Sequence, residues 1–199
     1  MSTYEKPDFW AQKAKKEGYP ARSVYKLQEI DEKFHLFRKG LRVLDIGAAP
    51  GSWSLWVLKK LAGSGFLSAV DLSPLGMRPP FDNFMFIQGD LYDPAVREAL
   101  VAKGPYNLVI SDAAPATTGN RLVDQGASES IVEAVIEYGL CALAPGGALV
   151  AKIFQGGAER ELIDRLKASF TQARAFKPQA CRSESFETYL VGTGFKGQG

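Results

Sequence analysis

One histidine and two cysteines are a thin supply of reactive side chains for a chain of this length. Cys141 and Cys181 cannot build a multi-bridge disulfide framework, and with His35 alone beside them a Cys/His zinc site is excluded. No metal is therefore expected. A Ser-His-Asp or Cys-His enzyme would have to run on His35, which sits in an ordinary amphipathic stretch. Long apolar runs are missing too: nothing approaches the ~18 residues of a membrane-spanning helix. The start, MSTYEKPDFWAQKAKK, lacks the continuous apolar stretch of a signal peptide. With two unremarkable cysteines, these absences predict a cytoplasmic protein without a membrane partner. No internal repeat or low-complexity segment is present. A marked net charge is also absent, with 24 Lys+Arg against 22 Asp+Glu for a formal +2.

What is present is enough for one full domain, or one domain with a short appendage. A chain of 199 residues buries ~70% of its surface on folding, a sizeable core without covalent staples. The near-neutral charge hides an asymmetry. Residues 1–40 carry nine basic groups and six acidic ones, whereas the other 159 residues carry 15 basic and 16 acidic. Lys13, Lys15, Lys16, Arg22 and Lys26 stand against only Glu17 between residues 10 and 28, interleaved with Trp10, Tyr19 and Tyr25 and preceded by Phe9. Such an arm suits phosphate neutralisation with stacking on bases or sugars, and equally suits a solvated helix face.

Apolar spacing predicts a short helix over 8–16, broken by Gly18 and Pro20, and a second over 22–34. After Gly40 the pattern changes. LRVLDIG (41–47), GFLSAVDL (65–72), NFMFIQGD (83–90), YNLVISD (106–112) and ALVAKIF (148–154) read as buried parallel strands. Helices are expected over 52–61, 94–102, 126–143 and 158–170, and two further strands near 172–177 and 187–192. This alternation predicts an α/β fold, a mostly parallel seven-stranded sheet with helices on both faces and the last strand returning antiparallel. Residues 1–40 form a basic helical extension suited to RNA contact, and 41–199 the main domain. No stripe suited to a dimer is evident, so a monomer is expected.

Ligands of open α/β sheets bind beyond the carboxyl ends of the strands. The first loop there is Asp45-Ile46-Gly47-Ala48-Ala49-Pro50-Gly51. It is neither G-x-G-x-x-G nor a P-loop, which argues against a dinucleotide and against ATP. Asp45, Asp71 and Asp90 close three consecutive strands. Asp71 suits ribose hydroxyls, and Asp90 an adenine amino group. Carboxylates without a phosphate-binding arginine or lysine suit a cationic nucleoside, and S-adenosylmethionine, a sulfonium, is such a cofactor. Ser111-Asp112 ends the fourth strand and Lys152 stands near the end of the fifth. A lysine inside ALVAKIF needs a partner if it is buried. An antiparallel last strand would begin with Glu187 at this same edge, so Asp112, Lys152 and Glu187 converge by topology.

These segments together resemble the FtsJ-type ribosomal RNA 2′-O-methyltransferases, the RrmJ family, from about Tyr19 to Gly194. SVYKLQEIDEKF, LDIGAAPGSWS, QGDLYD, SDAAP, LAPGGALVAKIFQG and ETYLVGTG are similar in order and spacing. The resemblance implies a Rossmann-like S-adenosylmethionine-dependent methyltransferase fold and a catalytic K-D-K-E tetrad at Lys26, Asp112, Lys152 and Glu187. It carries cofactor contacts onto Gly51, Trp53, Asp71, Asp90 and Asp112, beside Asp45, Gly47 and Pro50 of the first loop. Two positions depart from the family's pattern. Ser52 stands where Gly is frequent and is expected to cap the following helix. Ala116 stands where Asn is frequent, and Asn120 could supply the missing amide.

By resemblance, Lys152 accepts the proton of a ribose 2′-hydroxyl while Asp112 orients the cofactor and the lysine, and Glu187 and Lys26 hold the lysine and the 2′-hydroxyl in register. The implied activity is 2′-O-methylation of a uridine in large-subunit ribosomal RNA. A transfer-RNA 2′-O-methyltransferase is the alternative within the same chemistry. A non-catalytic RNA-binding assembly factor is the alternative outside it, and the intact tetrad speaks against that.

Overall fold

The computed structural model describes residues 9–182 and 185–197. Residues 1–8, where the expected first helix begins and where Lys6 of the basic arm lies, fall outside them. Helices α1 (Phe9–Lys16) and α2 (Val24–Phe34) precede strand β1 (Arg42–Ile46), helix α3 (Ser52–Leu61), β2 (Phe66–Asp71) and β3 (Phe84–Gln88). Helix α4 (Pro94–Val101), β4 (Tyr106–Ser111), α5 (Arg121–Ala142), β5 (Leu143–Phe154), α6 (Glu159–Ser169), β6 (Phe170–Phe176) and β7 (Glu187–Phe195) complete the chain. The seven strands form one sheet in the order β3-β2-β1-β4-β5-β7-β6. Strands β1 to β5 pair in parallel, and β7 runs antiparallel to both β5 and β6. The expected architecture is therefore met, including the reversed last strand.

The alternation of the pleat explains how one sheet holds two cores. Val43, Leu67, Leu108, Ile110, Val150 and Val191 face one side, where α2 and α3 cover them with Leu27, Ile30, Val57 and Leu61. Their neighbours Leu44, Val109, Leu149, Ala151 and Leu190 face the other side, under Leu100 of α4, Val132, Val135 and Ile136 of α5, and Leu162 and Leu166 of α6. Ala14 of α1 and Val24 and Tyr25 of α2 belong to the first of these cores. The basic N-terminal segment is thus packed onto the sheet.

Two boundaries differ from the sequence expectation by five residues each. Helix α5 begins at Arg121 rather than 126, because Asn120 accepts from the N–H groups of Leu122 and Val123 and caps it there. Strand β5 begins at Leu143 rather than 148. Leu143 pairs with Tyr106, the register then shifts, and Ala148 pairs with Leu108. Pro145, Gly146 and Gly147 occupy the irregularity without ending the strand.

Candidate active site

The carboxyl ends of β1, β2 and β4 open onto a cavity of about 400 Å³. Its wall includes Gly47, Ala49 and Pro50 after β1, Asp71 and Leu72 at the end of β2, and Gly89 and Leu91 after β3. Asp112, Ala113 and Ala114 after β4, Lys152 of β5 and Ser23 ahead of α2 complete the polar side. Gly47 has φ +78°, and a Cβ there would stand 2.5 Å from that of Ala113. Only glycine lets these two loops meet at the cavity mouth. Asp71 is anchored by backbone donors, Ala49 N–H to Oδ2 at 2.9 Å and Ser73 N–H to Oδ1 at 2.8 Å, so it fixes the first loop while facing the cavity.

A second cavity of about 380 Å³ is lined by Ala21, Arg22, Ser23, Lys26, Arg182, Ser185 and Glu187. Ser23 lines both cavities. The first, acidic space and the second, basic space are therefore neighbours; Asp112 and Lys152 line the first, and Lys26 and Glu187 the second.

Strand register explains how those four meet. Lys152 is paired with Tyr189 and Phe154 with Glu187. Glu187, Tyr189 and Lys152 consequently share the sheet face that α2 covers. There Lys26 Nζ lies 2.6 Å from Glu187 Oε1, and Lys152 Nζ lies 3.1 Å from Asp112 Oδ1. Lys152 Nζ also donates to the main-chain oxygen of Asp112 at 2.6 Å. Burial opposes ionisation of Asp112, but Lys152 and Lys26, with the hydrogen bond from Tyr189, outweigh it and hold its pKa below the ordinary value. Burial likewise opposes the Lys26 ammonium, and the carboxylates of Asp112 and Glu187 outweigh it and raise its pKa. The cluster is two interlocked ion pairs.

Several expected contacts lie elsewhere. Asp45 does not line the cavity: it is fully buried, with Ser54 Oγ donating to its Oδ2 at 2.6 Å and, among the described residues, no hydrogen-bond partner on Oδ1. Burial first, then the charges of Asp112 and Asp71, push its pKa up to about 7. Trp53 is buried, donates from Nε1 to the Ser23 oxygen at 2.8 Å and lies against Tyr189. It ties α3 to the segment ahead of α2. Gly51, with φ +107°, caps α3 beneath Met77. Asp90 is exposed and accepts from Tyr92 N–H at 2.9 Å, while its neighbours Gly89 and Leu91 line the cavity.

Ser52 does not cap α3 as expected. Its hydroxyl accepts the Ala21 N–H at 2.6 Å, because the cap position belongs to Gly51 and residue 52 faces the N-terminal segment. Asn120 is likewise spent on capping α5. Of the aromatics in the basic arm, Tyr25 is buried and its ring lies 4.9 Å from that of Trp10, which removes it from those able to stack on a base.

The sequence reading missed Tyr189, whose hydroxyl donates to Asp112 Oδ1 at 2.6 Å. It also missed Arg182, which with Arg22 and Lys26 of the basic arm makes the second cavity basic. For Tyr189 the signal was present: two residues after Glu187 on a strand, it must share that residue's face.

A family model described as FtsJ-like methyltransferase matches residues 19–195. The chain belongs to the FtsJ-like methyltransferase family. Among its relatives, "Ribosomal RNA large subunit methyltransferase E" of Treponema denticola is 50% identical over 194 residues, 98% of each chain. The protein of that name from Nitratidesulfovibrio vulgaris is 46% identical, covering 100% of this chain and 98% of its own. Among solved structures, a Plasmodium falciparum protein described as a ribosomal RNA methyltransferase superposes with a TM-score of 0.77 at 26% identity, over 90% of this chain and 100% of its own. This FtsJ-like enzyme has the Rossmann-like methyltransferase fold. Among the described residues, no helix is long and apolar enough to cross a membrane.

Proposed function

We propose that this FtsJ-like methyltransferase transfers a methyl group from S-adenosylmethionine to a ribose 2′-hydroxyl, most specifically that of a uridine in large-subunit ribosomal RNA, in the cytoplasm. The observation that carries the reading is the junction of the two cavities, with Lys152 held against Asp112 at 3.1 Å on one side and Lys26 against Glu187 at 2.6 Å on the other. The names of the relatives from Treponema and Nitratidesulfovibrio support the choice of RNA.

The first cavity fits a cationic nucleoside. Asp71 and Asp112 line it, Lys152 is the one cation among its lining residues, and Gly47 and Pro50 expose main chain at its mouth. When bound there, S-adenosylmethionine supplies an activated methyl group. Asp71 would hold the ribose hydroxyls, and Asp112 would face the positively charged end. In the second cavity, Arg22, Lys26 and Arg182 supply cations for the phosphates of the acceptor strand. The basic extension of residues 1–40 contributes two of these three.

The acceptor oxygen needs alignment and a place for its proton. Lys152 Nζ, fixed by the carboxylate and the carbonyl of Asp112, would take that proton at the junction. Only the neutral amine has the lone pair to take it. Glu187, itself held by Lys26, would accept a hydrogen bond from the hydroxyl or orient the lysine. Transfer of labelled methyl groups to isolated large subunits, free 23S-type RNA and transfer RNA tests the proposal. Labelling of ribosomal RNA on ribose is expected. Labelling of transfer RNA alone, or of none, would overturn it.

A further inference from the structure

We propose that Glu29 is a positioning residue for the acceptor side of the site, holding the segment after β6 so that Arg182 and Glu187 face the second cavity. The proposal rests on the functional reading above and extends it to a residue with no contact to either cavity. Glu29 stands three residues after Lys26 on α2, so the two share a helix face. While Lys26 reaches Glu187, Glu29 reaches the chain eight residues earlier. Its Oε2 accepts the Gln179 N–H at 2.5 Å and its Oε1 accepts the Ala180 N–H at 2.8 Å. One carboxylate thus satisfies two consecutive main-chain donors of a loop, the strong, charge-assisted kind of hydrogen bond. Arg22 adds a bond from Nη2 to the Ala180 oxygen.

The clamp is placed to act on catalysis. Immediately after it, Cys181 N–H donates to the Pro178 oxygen, and Ser185 N–H donates to the Arg182 oxygen at 3.0 Å. The Cys181 thiol is buried, and burial together with the nearby negative charge of Glu187 raises its pKa. Glu187 therefore meets Lys26 from α2 directly and lies near Cys181 of the segment that α2 clamps through Glu29. Releasing the clamp leaves the Lys26–Glu187 pair but frees the chain that aims Arg182 and covers Glu187. The consequence falls on the acceptor cavity. The cofactor cavity, whose lining includes no residue of this segment, is spared.

Glu29→Gln replaces one acceptor oxygen by an amide that faces a main-chain N–H, and Glu29→Ala removes both acceptors. In each, kcat/KM for the RNA is expected to fall on the order of tenfold, while the affinity for S-adenosylmethionine moves by less than about twofold. Iodoacetamide should modify Cys181 on the order of tenfold faster than in the unsubstituted protein, with exposed Cys141 unchanged as the internal reference. The Gln179 and Ala180 amides of the unsubstituted protein should exchange slowly with deuterium, a measurement that decides the matter even if the variants do not fold. The proposal is overturned by full activity in both variants, by a loss of cofactor affinity equal to the loss of activity, or by exchange of those two amides at the rate of an open loop. An unsubstituted protein that methylates no RNA would sink the functional reading, while exchange and alkylation would still decide whether Glu29 holds the segment.

Discussion

Tyr189 donates its hydroxyl to Asp112 Oδ1 across 2.6 Å, the same oxygen that Lys152 Nζ approaches to 3.1 Å. One carboxylate oxygen thus serves both a buried phenol and the lysine assigned to take the proton. Burial, then the negative charges of Asp112 and Glu187, push the Tyr189 pKa well above its usual value, so the phenol remains a donor throughout the working range. Tyr189→Phe keeps the ring against Trp53 and removes only that donor. It should cost ~1–3 kcal/mol of stability, because Asp112 loses a hydrogen bond in a buried place. Methyl transfer should fall by about tenfold as Lys152 loses its fixed counterion geometry. Urea unfolding and single-turnover rates check both, and unchanged values for both would show that the bond contributes nothing.

Lys152 separates proton acceptance from charge. Lys152→Ala should abolish methyl transfer while leaving cofactor binding nearly intact, since Asp71 and the first loop remain. Lys152→Arg keeps a cation for Asp112, but a guanidinium does not give up its proton. It should therefore be as inactive as the alanine variant yet more stable to heat, because Asp112 keeps a cation at ion-pairing distance. Full activity in either variant would overturn the assignment of Lys152.

The second cavity makes a prediction about salt. Arg22→Ala and Arg182→Ala each remove one cation from the proposed path of the RNA backbone. If each neutralises one phosphate, the slope of log binding constant against log salt should shrink by ~0.7 per substitution on single-stranded RNA. A fluorescent RNA titrated at several salt concentrations measures this. A uniform loss of affinity with the slope unchanged would remove these two residues from the phosphate path.

Much of the sheet and of the site was legible because both depend on alternation. Apolar runs ending in Asp45, Asp71 and Asp112 marked strands and their carboxyl ends together, and the reversed β7 placed Glu187 opposite the end of β5. What escaped were contacts between segments distant in the chain. Ser52 reads locally as a helix cap, but its hydroxyl is claimed by Ala21, which no local rule can show. Glu29 reads as one more charge on a helix, and its partners lie 150 and 151 positions away. Asp45 was grouped with the ligand-facing acids by its place at a strand end. Strand parity argues otherwise: it lies between Leu44 and Ile46, which face the α5 side, so it faces the side covered by α3, where Ser54 meets it.

That burial makes Asp45 a source of pH-dependent instability. Its pKa stands at about 7 in the folded protein against an ordinary value of 3.8. Below about pH 4 the carboxyl is neutral in both states and no penalty exists. As pH rises from there toward 7, the unfolded chain releases the proton while the folded one retains it, and stability falls. Above about 7 both forms are ionised and the loss levels off, at no more than ~4 kcal/mol for a difference of this size. Asp45→Asn still accepts the Ser54 hydroxyl and cannot ionise. The variant should match the parent near pH 4 and exceed it increasingly toward pH 7, as read by melting temperature across that range. A constant difference between the two proteins at every pH would mean that Asp45 is ionised in the fold, held there by a partner other than Ser54.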